Sequence, residues 1–180
     1  MTMVPQVLIL PGWQGSGPEH WQMRWVRAHS YTVVEQNDWM RPLRGDWLTR
    51  LDEVVGDSPT PVVLAAHSLG CIQVAAWASL SRHVDKVRGA LLVAPGDVEQ
   101  PQLLSVLHSW TPIVRQRLPF NAVLVGSEND PYCTLERARG LAQDWGARWV
   151  NLGACGHINA ESGLGDWPEG HALLHTLMKE

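Results

Sequence analysis

A run of apolar residues that ends in a tight turn around a serine constrains the fold of this chain more than any other feature. Val62-Val63-Leu64-Ala65 is typical of a buried strand, and the segment Cys71 to Leu80 is typical of a helix. Between them lies Ala66-His67-Ser68-Leu69-Gly70, which has a small residue two positions before and two positions after Ser68. Small residues there let a strand and the following helix approach closely. The sequence therefore predicts a strand–turn–helix unit with Ser68 at the turn.

Apolar runs and helical patterns alternate along the rest of the chain. Strands are predicted at 7–10, 32–35, 62–65, 90–94, 121–125 and 148–152, and helices at 20–29, 46–55, 71–80, 135–145 and 170–178. Short unbroken apolar runs separated by helices indicate a parallel sheet that is covered on both faces. We therefore predict a compact α/β fold with about six mostly parallel strands and helices on both faces. The 180 residues suit a single domain, 1–180.

The turn at Ser68 matches the nucleophile elbow of α/β-hydrolases, with Ala66 in place of the usual first glycine. A serine hydroxyl is a weak nucleophile unless a histidine accepts its proton and a carboxylate orients that histidine. In this fold the chain order is serine, acid, histidine. An acid should therefore follow a later strand, and a histidine should follow near the C-terminus.

Asp130 is the preferred acid. It lies in Gly126-Ser127-Glu128-Asn129-Asp130-Pro131, just past a predicted strand, and catalytic groups of parallel sheets gather at the carboxyl ends of strands. The simpler interpretation is a turn aspartate before a proline. Asp97, which follows the preceding strand, and Glu128 are the alternatives for the acid.

His157 is the preferred base, because it lies in the glycine-rich loop Gly153-Ala154-Cys155-Gly156-His157 after the last strand. His67 adjoins Ser68, but its side chain should leave the turn in another direction, as a packing or pocket residue. Four other histidines fit less well: His20 and His29 precede the serine, and His171 and His175 are expected to be solvated on the closing helix.

An oxyanion hole needs two backbone N–H groups. We expect one from Leu69, after the nucleophile, and one from Trp13 in the loop 11–17, although that loop could be an ordinary glycine-rich turn. Ten tryptophans either fill the core or line an aromatic pocket. On the second interpretation Trp21 and Trp39 join His67 as pocket residues.

The segment 97–119 is longer than a simple connection and contains three prolines. We expect it to hold one helix and to form a small cap over the site.

Composition excludes several function classes. The formal charge of −4 and the absence of a basic cluster give no reason to expect a nucleic acid partner. No Cys-x-x-Cys pair and no nucleotide-binding glycine motif occurs, and His171 and His175 are expected to be solvated, so no metal and no cofactor are expected. The charge-free span from Ser58 to Ser81 is better explained by a buried strand and helix than by a membrane helix. Three unrelated cysteines and an N-terminus unlike a signal peptide predict a cytoplasmic protein.

Several segments together resemble the small serine hydrolases of the retinoblastoma-binding-protein-nine and YdeN type. They are Leu10-Pro11-Gly12-Trp13, Gly17-Pro18-Glu19-His20-Trp21, His67-Ser68-Leu69-Gly70, Ser127-Glu128-Asn129-Asp130-Pro131, Gly156-His157-Ile158-Asn159-Ala160 and Ser162-Gly163-Leu164-Gly165-Asp166-Trp167-Pro168. The resemblance implies an α/β-hydrolase with Ser68, Asp130 and His157 as its triad, acting on small esters. The nearest match to the Leu-x-Cys-x-Glu segment that binds retinoblastoma protein is Leu69-Gly70-Cys71-Ile72-Gln73, which ends in glutamine, so that partner is not expected.

The sequence thus favours a metal-independent serine hydrolase that forms an acyl-enzyme on a small carboxylic ester, thioester or amide. The alternative is a non-catalytic binding protein on a hydrolase fold. A cysteine-dependent activity through Cys133 or Cys155 is disfavoured, because neither residue lies on an elbow.

Overall fold

The computed structural model describes residues 3–179, in which six parallel strands form one sheet in the order β2-β1-β3-β4-β5-β6. The strands are β1 (Gln6–Leu10), β2 (Thr32–Val33), β3 (Val62–His67), β4 (Val87–Val93), β5 (Asn121–Gly126) and β6 (Arg148–Asn151). The helices are α1 (Trp21–His29), α2 (Arg44–Asp57), α3 (Leu69–Ala78), α4 (Leu104–Leu107), α5 (Leu135–Trp145) and α6 (Pro168–Lys179). The predicted α/β class, strand number and parallel sheet are confirmed.

Helices cover both faces of the sheet, because the strands carry apolar side chains on each side. One buried cluster joins α2, α3 and α5 to the sheet, and the other joins α1 and α6 to the opposite face. Helix α3 is buried along nearly its whole length, and β3 before it is fully buried. This burial explains the charge-free span, and no helix within residues 3–179 is long and apolar enough to cross a membrane.

The tryptophans mostly fill the core. Seven of the ten are among the largest fully buried side chains, namely Trp21, Trp25, Trp47, Trp77, Trp110, Trp145 and Trp167. The indole nitrogens of six of the seven, all but Trp167, donate hydrogen bonds to named acceptors, as is usual for buried polar groups. The nitrogen of Trp110, for example, donates to the carbonyl of Pro42 over 2.8 Å, which ties the 97–119 segment to the start of α2.

All strands run in the same direction, so the turns after β3, β5 and β6 meet at one edge of the sheet. These turns carry Ser68, Asp130 and His157. The segment 97–119 follows β4 at the same edge and contains α4 between two short 3-10 turns. The fold therefore brings distant parts of the chain together around Ser68.

Candidate active site

Ser68 occupies a strained turn between β3 and α3. Its φ of 54° and ψ of −120° are rare for a residue with a side chain. The backbone around this turn is packed so closely that glycines are needed beside it. A β-carbon at Gly70 would overlap the carbonyl oxygen of Leu10, and one at Gly12 would lie 2.9 Å from the Ser68 β-carbon. Ala66 is fully buried in β3, so a small residue is accommodated there without a glycine.

His157 lies between Ser68 and Asp130. Its Nε2 is 2.9 Å from the Ser68 hydroxyl oxygen, and its Nδ1 is 2.9 Å from each carboxylate oxygen of Asp130. The side chains of His157 and Asp130 are 10% and 3% exposed, so water competes little for their contact. With the Nδ1 proton donated to Asp130, Nε2 is free to accept the serine proton.

The turn that carries Asp130 and the loop that carries His157 are joined by hydrogen bonds that the sequence did not reveal. The Asn129 side-chain oxygen accepts from the Gly156 N–H over 2.7 Å, and the Ser127 hydroxyl accepts from the Cys155 N–H over 2.9 Å. These bonds fix the turn that carries Asp130 relative to the loop that carries His157. Asn129 and Ser127 are therefore supporting residues of the site, and their only sequence signal was their place beside Asp130.

The alternative acids have other partners. Asp97 accepts from the guanidinium of Arg137 at 3.2 Å, and Glu128 accepts from the side-chain amide of Asn151 at 3.0 Å. Asp130 is the acid that contacts His157.

One expectation about helix α6 is wrong. His175 is exposed as expected, but His171 is half-buried rather than solvated. Its Nε2 is 2.8 Å from the Tyr31 hydroxyl, and its ring stacks on that of His29. Burial, with the neighbouring imidazoles, lowers the pKa of His171 to about 4.

Two further histidines form a row with His157. The ring centroids of His20 and His67 are 4.6 Å apart, and those of His67 and His157 are 4.7 Å apart. The Nε2 of His67 donates to the carbonyl of His157 over 2.8 Å. Burial lowers the pKa of both His67 and His20, that of His20 to about 3. Both rings are therefore neutral, and His67 is a packing and pocket residue, as its position beside Ser68 suggested.

A cavity of about 580 Å³ opens at Ser68. It is lined by Gly12, Trp13, Gln14, Gly15, Gly17, His20, His67, Ser68, Leu69, Gly96, Val98, Leu103, Leu107, Tyr132, His157, Asn159, Ala160 and Glu161. Gly96 lies directly over the nucleophile, since a β-carbon on it would be 3.2 Å from the serine hydroxyl oxygen. The 97–119 segment supplies three apolar side chains to the cavity wall.

Two predicted pocket residues lie elsewhere. Trp21 is 1% exposed and packs between Trp25 and Trp167, so it belongs to the core. Trp39 packs edge-on against Trp47 behind the loop that carries Trp13. The pocket prediction is therefore corrected for Trp21 and Trp39, while Trp13, Leu69 and His67 do line the cavity.

The two residues predicted to donate to the oxyanion, Trp13 and Leu69, both line this cavity. Leu69 is the first residue of α3, so its N–H has no acceptor within the helix. Trp13 lies in the loop after β1, where its indole nitrogen donates to the Met40 carbonyl over 2.9 Å. Within residues 3–179 no group of three or more side chains could hold a metal ion.

Comparisons with known proteins show the family of this chain. The family model described as serine hydrolase matches residues 7–176. The chain belongs to the serine hydrolase family. No curated protein matches it significantly. The hydrolase class expected from the sequence is confirmed.

Solved structures show the same fold. A YdeN-like hydrolase from Pectobacterium atrosepticum is 27% identical, with a TM-score of 0.85 over 97% of this chain and 90% of that chain. The ydeN gene product from B. subtilis is 20% identical, with a TM-score of 0.77 over 98% and 100%. A monoacylglycerol lipase from Paleococcus ferrophilus is 11% identical, with a TM-score of 0.72 over 99% and 96%. The α/β-hydrolase fold and the expected resemblance to small hydrolases of the YdeN type are thereby confirmed.

Proposed function

We propose that this serine hydrolase cleaves a small carboxylic ester, thioester or amide through an acyl-enzyme on Ser68. The observation that carries the proposal is the continuous chain of contacts from the Ser68 hydroxyl through His157 to Asp130, each 2.9 Å long. In this assignment Ser68 is the nucleophile, His157 the general base and Asp130 the residue that orients the base.

The reaction follows from the positions of the protons. His157 Nε2 accepts the hydroxyl proton as the Ser68 oxygen forms a bond to the substrate carbonyl carbon. The same proton then goes to the leaving alcohol, thiol or amine as its bond to that carbon breaks. Water repeats both steps on the acyl-enzyme and releases the acid. Asp130 stays ionised and stabilises the imidazolium that forms in each half-reaction.

The negative charge on the carbonyl oxygen needs donors that are already in place. We assign this role to the N–H groups of Leu69 and Trp13. The N-terminal end of α3 adds a favourable dipole at the same point. Because protein groups supply both the proton acceptor and the oxyanion donors, the proposed reaction requires no metal and no cofactor.

The cavity favours a small substrate without a negative charge. Val98, Leu103 and Leu107 offer an apolar wall to an acyl or alcohol group. Glu161 is the one residue with a charged side chain among the described lining residues, and it is exposed and acidic. A carboxylate or phosphate on the substrate would find no lysine or arginine there. The expected partner is therefore a small uncharged or cationic acyl compound rather than a nucleic acid, a membrane or a retinoblastoma-type protein.

The test is hydrolysis of 4-nitrophenyl esters with acyl chains of two to eight carbons by the wild-type protein and by Ser68→Ala. The wild type should hydrolyse the short esters, and Ser68→Ala should lose activity by roughly six orders of magnitude. Ser79→Ala is the matched control, because Ser79 lies past the end of α3, away from the cavity. Equal activity in Ser68→Ala would contradict the role of Ser68 as nucleophile, and no hydrolysis of any of these esters by the wild type would favour a non-catalytic binding protein.

A further inference from the structure

Tyr132 is an exposed aromatic residue that lines the cavity and that the proposed reaction does not use. It is 43% exposed, and among the exposed large apolar residues of the described chain it is the one that borders the cavity. Its ring centroid lies 4.6 Å from that of His157, and the two ring planes are inclined by 59°. An accessible aromatic side chain therefore lies directly beside the proposed base.

The backbone of Tyr132 is held on both sides of the residue. Its N–H donates to the Asp130 carboxylate over 2.9 Å, and its carbonyl accepts from the Asp97 N–H over 2.9 Å and from the Gln100 side-chain amide over 2.8 Å. These bonds use backbone atoms of Tyr132, so they do not depend on its side chain. The ring is thus carried by a fixed segment, which reduces the entropy that is lost when a ligand binds to it.

The chemistry of the proposed reaction places the leaving group close to this ring. His157 Nε2 is 2.9 Å from the Ser68 hydroxyl oxygen, and it must come within about 2.6–3.2 Å of the leaving atom to protonate it. The substituent on that atom therefore lies beside the His157 ring. Two aromatic rings contact His157, but His67 is buried, so Tyr132 is the ring that a substituent can reach.

We propose that Tyr132 binds the leaving group by packing against an aromatic ring, and that the enzyme prefers esters or amides whose leaving alcohol or amine is of the benzyl type. The described lining contains no lysine or arginine, which suits a neutral ring, and a cavity of about 580 Å³ is in the usual size range of small-molecule sites. This inference rests on the proposed function, because it names a substrate class for the same site.

The experiment compares benzyl acetate with cyclohexylmethyl acetate, which differ in the aromaticity of one ring. Both esters form the same acyl-enzyme, so the ratio of their kcat/KM values reports the acylation step. Dividing by the ratio for alkaline hydrolysis removes the difference in intrinsic reactivity. Burial alone does not favour benzyl, because the saturated ring is at least as large and as apolar. The wild type should favour benzyl by about twofold to tenfold, the usual worth of an aromatic pair beyond its buried area.

Tyr132→Leu removes the aromatic face but keeps an apolar side chain, so the corrected ratio should fall to one or below. Tyr132→Phe keeps the ring and is the matched control, which should retain the wild-type ratio. Because the side chain is exposed and the backbone bonds remain, both variants should fold, and urea unfolding checks this. A wild-type ratio in Tyr132→Leu, or an active wild type with a ratio of one, overturns the role of Tyr132.

A second measurement needs no change at Tyr132. Benzyl acetate is bound to Ser68→Ala, which cannot form the acyl-enzyme, and nuclear Overhauser effects from the benzyl ring protons are assigned. Contacts with the ring protons of Tyr132 support the proposal. Contacts with other lining residues alone, or no contact at all, overturn it.

Methyl phenylacetate and methyl cyclohexylacetate place the same two rings on the acyl side of the ester. Tyr132→Leu should leave the corrected ratio for this pair as it is in the wild type. A change in this ratio alone would assign Tyr132 to the acyl group and overturn the proposal. A wild type that hydrolyses none of the four esters contradicts the proposed function itself, whereas an active wild type without a benzyl preference contradicts only the role of Tyr132.

Discussion

The indole nitrogen of Trp21 donates a hydrogen bond to the carbonyl of Ile158 over 2.9 Å, although the two residues are 137 positions apart. Ile158 follows His157, is fully buried and has a φ of +48°, which is unfavourable for a β-branched residue. Helix α1 therefore holds a strained loop at the residue next to the proposed base. This contact explains why a core tryptophan can matter for the site without lining it.

Trp21→Phe should impair both stability and turnover. The variant leaves the buried Ile158 carbonyl without its donor, at a cost of about 1–3 kcal/mol in the free energy of unfolding. The loop then holds His157 less firmly, so kcat should fall by roughly tenfold or more. Urea unfolding and ester hydrolysis measure the two effects.

Trp145→Phe is the matched control for that prediction. It removes a similar bond, from the buried Trp145 indole to the Val114 carbonyl at 2.8 Å, away from the cavity. It should lose comparable stability and retain kcat. Equal kcat losses in both variants would show that Trp21 acts only through global stability.

Gly96→Ala should block the nucleophile without unfolding the protein. The added methyl would lie 3.2 Å from the Ser68 hydroxyl oxygen, in space that the acyl carbonyl must occupy. We expect kcat/KM to fall by roughly a hundredfold, as a misplacement of about 1 Å can cause. Gly140→Ala, where a β-carbon meets nothing within 4 Å, should leave activity unchanged. Wild-type kcat/KM in Gly96→Ala would contradict the position assigned to the substrate.

Gly70→Ala should destabilise the elbow itself. Its β-carbon would overlap the Leu10 carbonyl oxygen, a backbone atom of strand β1 that cannot rotate away because β1 is paired with β3. We expect a loss of about 1–3 kcal/mol or more in the free energy of unfolding. Thermal and urea unfolding check this, and an unchanged midpoint would mean that α3 and β1 are less closely packed than described.

Stability should fall as the pH is lowered from 7 towards 4. An unfolded histidine takes up a proton near pH 6.5, whereas folded His171 and His20 do so only near pH 4 and 3. Between these pH values the unfolded chain binds more protons than the folded chain, so acid favours unfolding. The stabilisation that comes from these two neutral histidines is fully present above pH 6.5 and is lost as the pH falls. Urea unfolding at pH 7.5, 6 and 5 measures the effect.

His171→Phe keeps a ring against Trp25 and His29 but cannot titrate. The free energy of unfolding should therefore depend less steeply on pH in this variant than in the wild type. Equal slopes in the two proteins would contradict the lowered pKa of His171.

The fold and the proposed triad were predictable because each part has a local signal. Ser68, Asp130 and His157 each follow an apolar run, and parallel strands bring such positions to one edge whatever their separation in sequence. The prediction needed only the chain order and the direction of the strands.

Other parts of the site depend on contacts between distant elements, which a pattern along the chain does not show. Trp21 lies in the predicted helix 20–29, and a pattern along one helix cannot tell whether its side chain meets the core or a cavity. His171 contacts Tyr31, which lies 140 residues earlier in the chain. The spacing of residues on helix α6 alone therefore could not indicate that His171 is half-buried.

The proposed function requires Ser68 to be the nucleophile. The most direct test is to identify the residue that reacts with a fluorophosphonate. The wild-type protein is treated with the reagent, digested and mapped by tandem mass spectrometry. We predict one phosphonyl group per chain, on Ser68, and no adduct on Ser68→Ala. An adduct on another residue, or an unmodified Ser68 in a protein that hydrolyses esters, would contradict it.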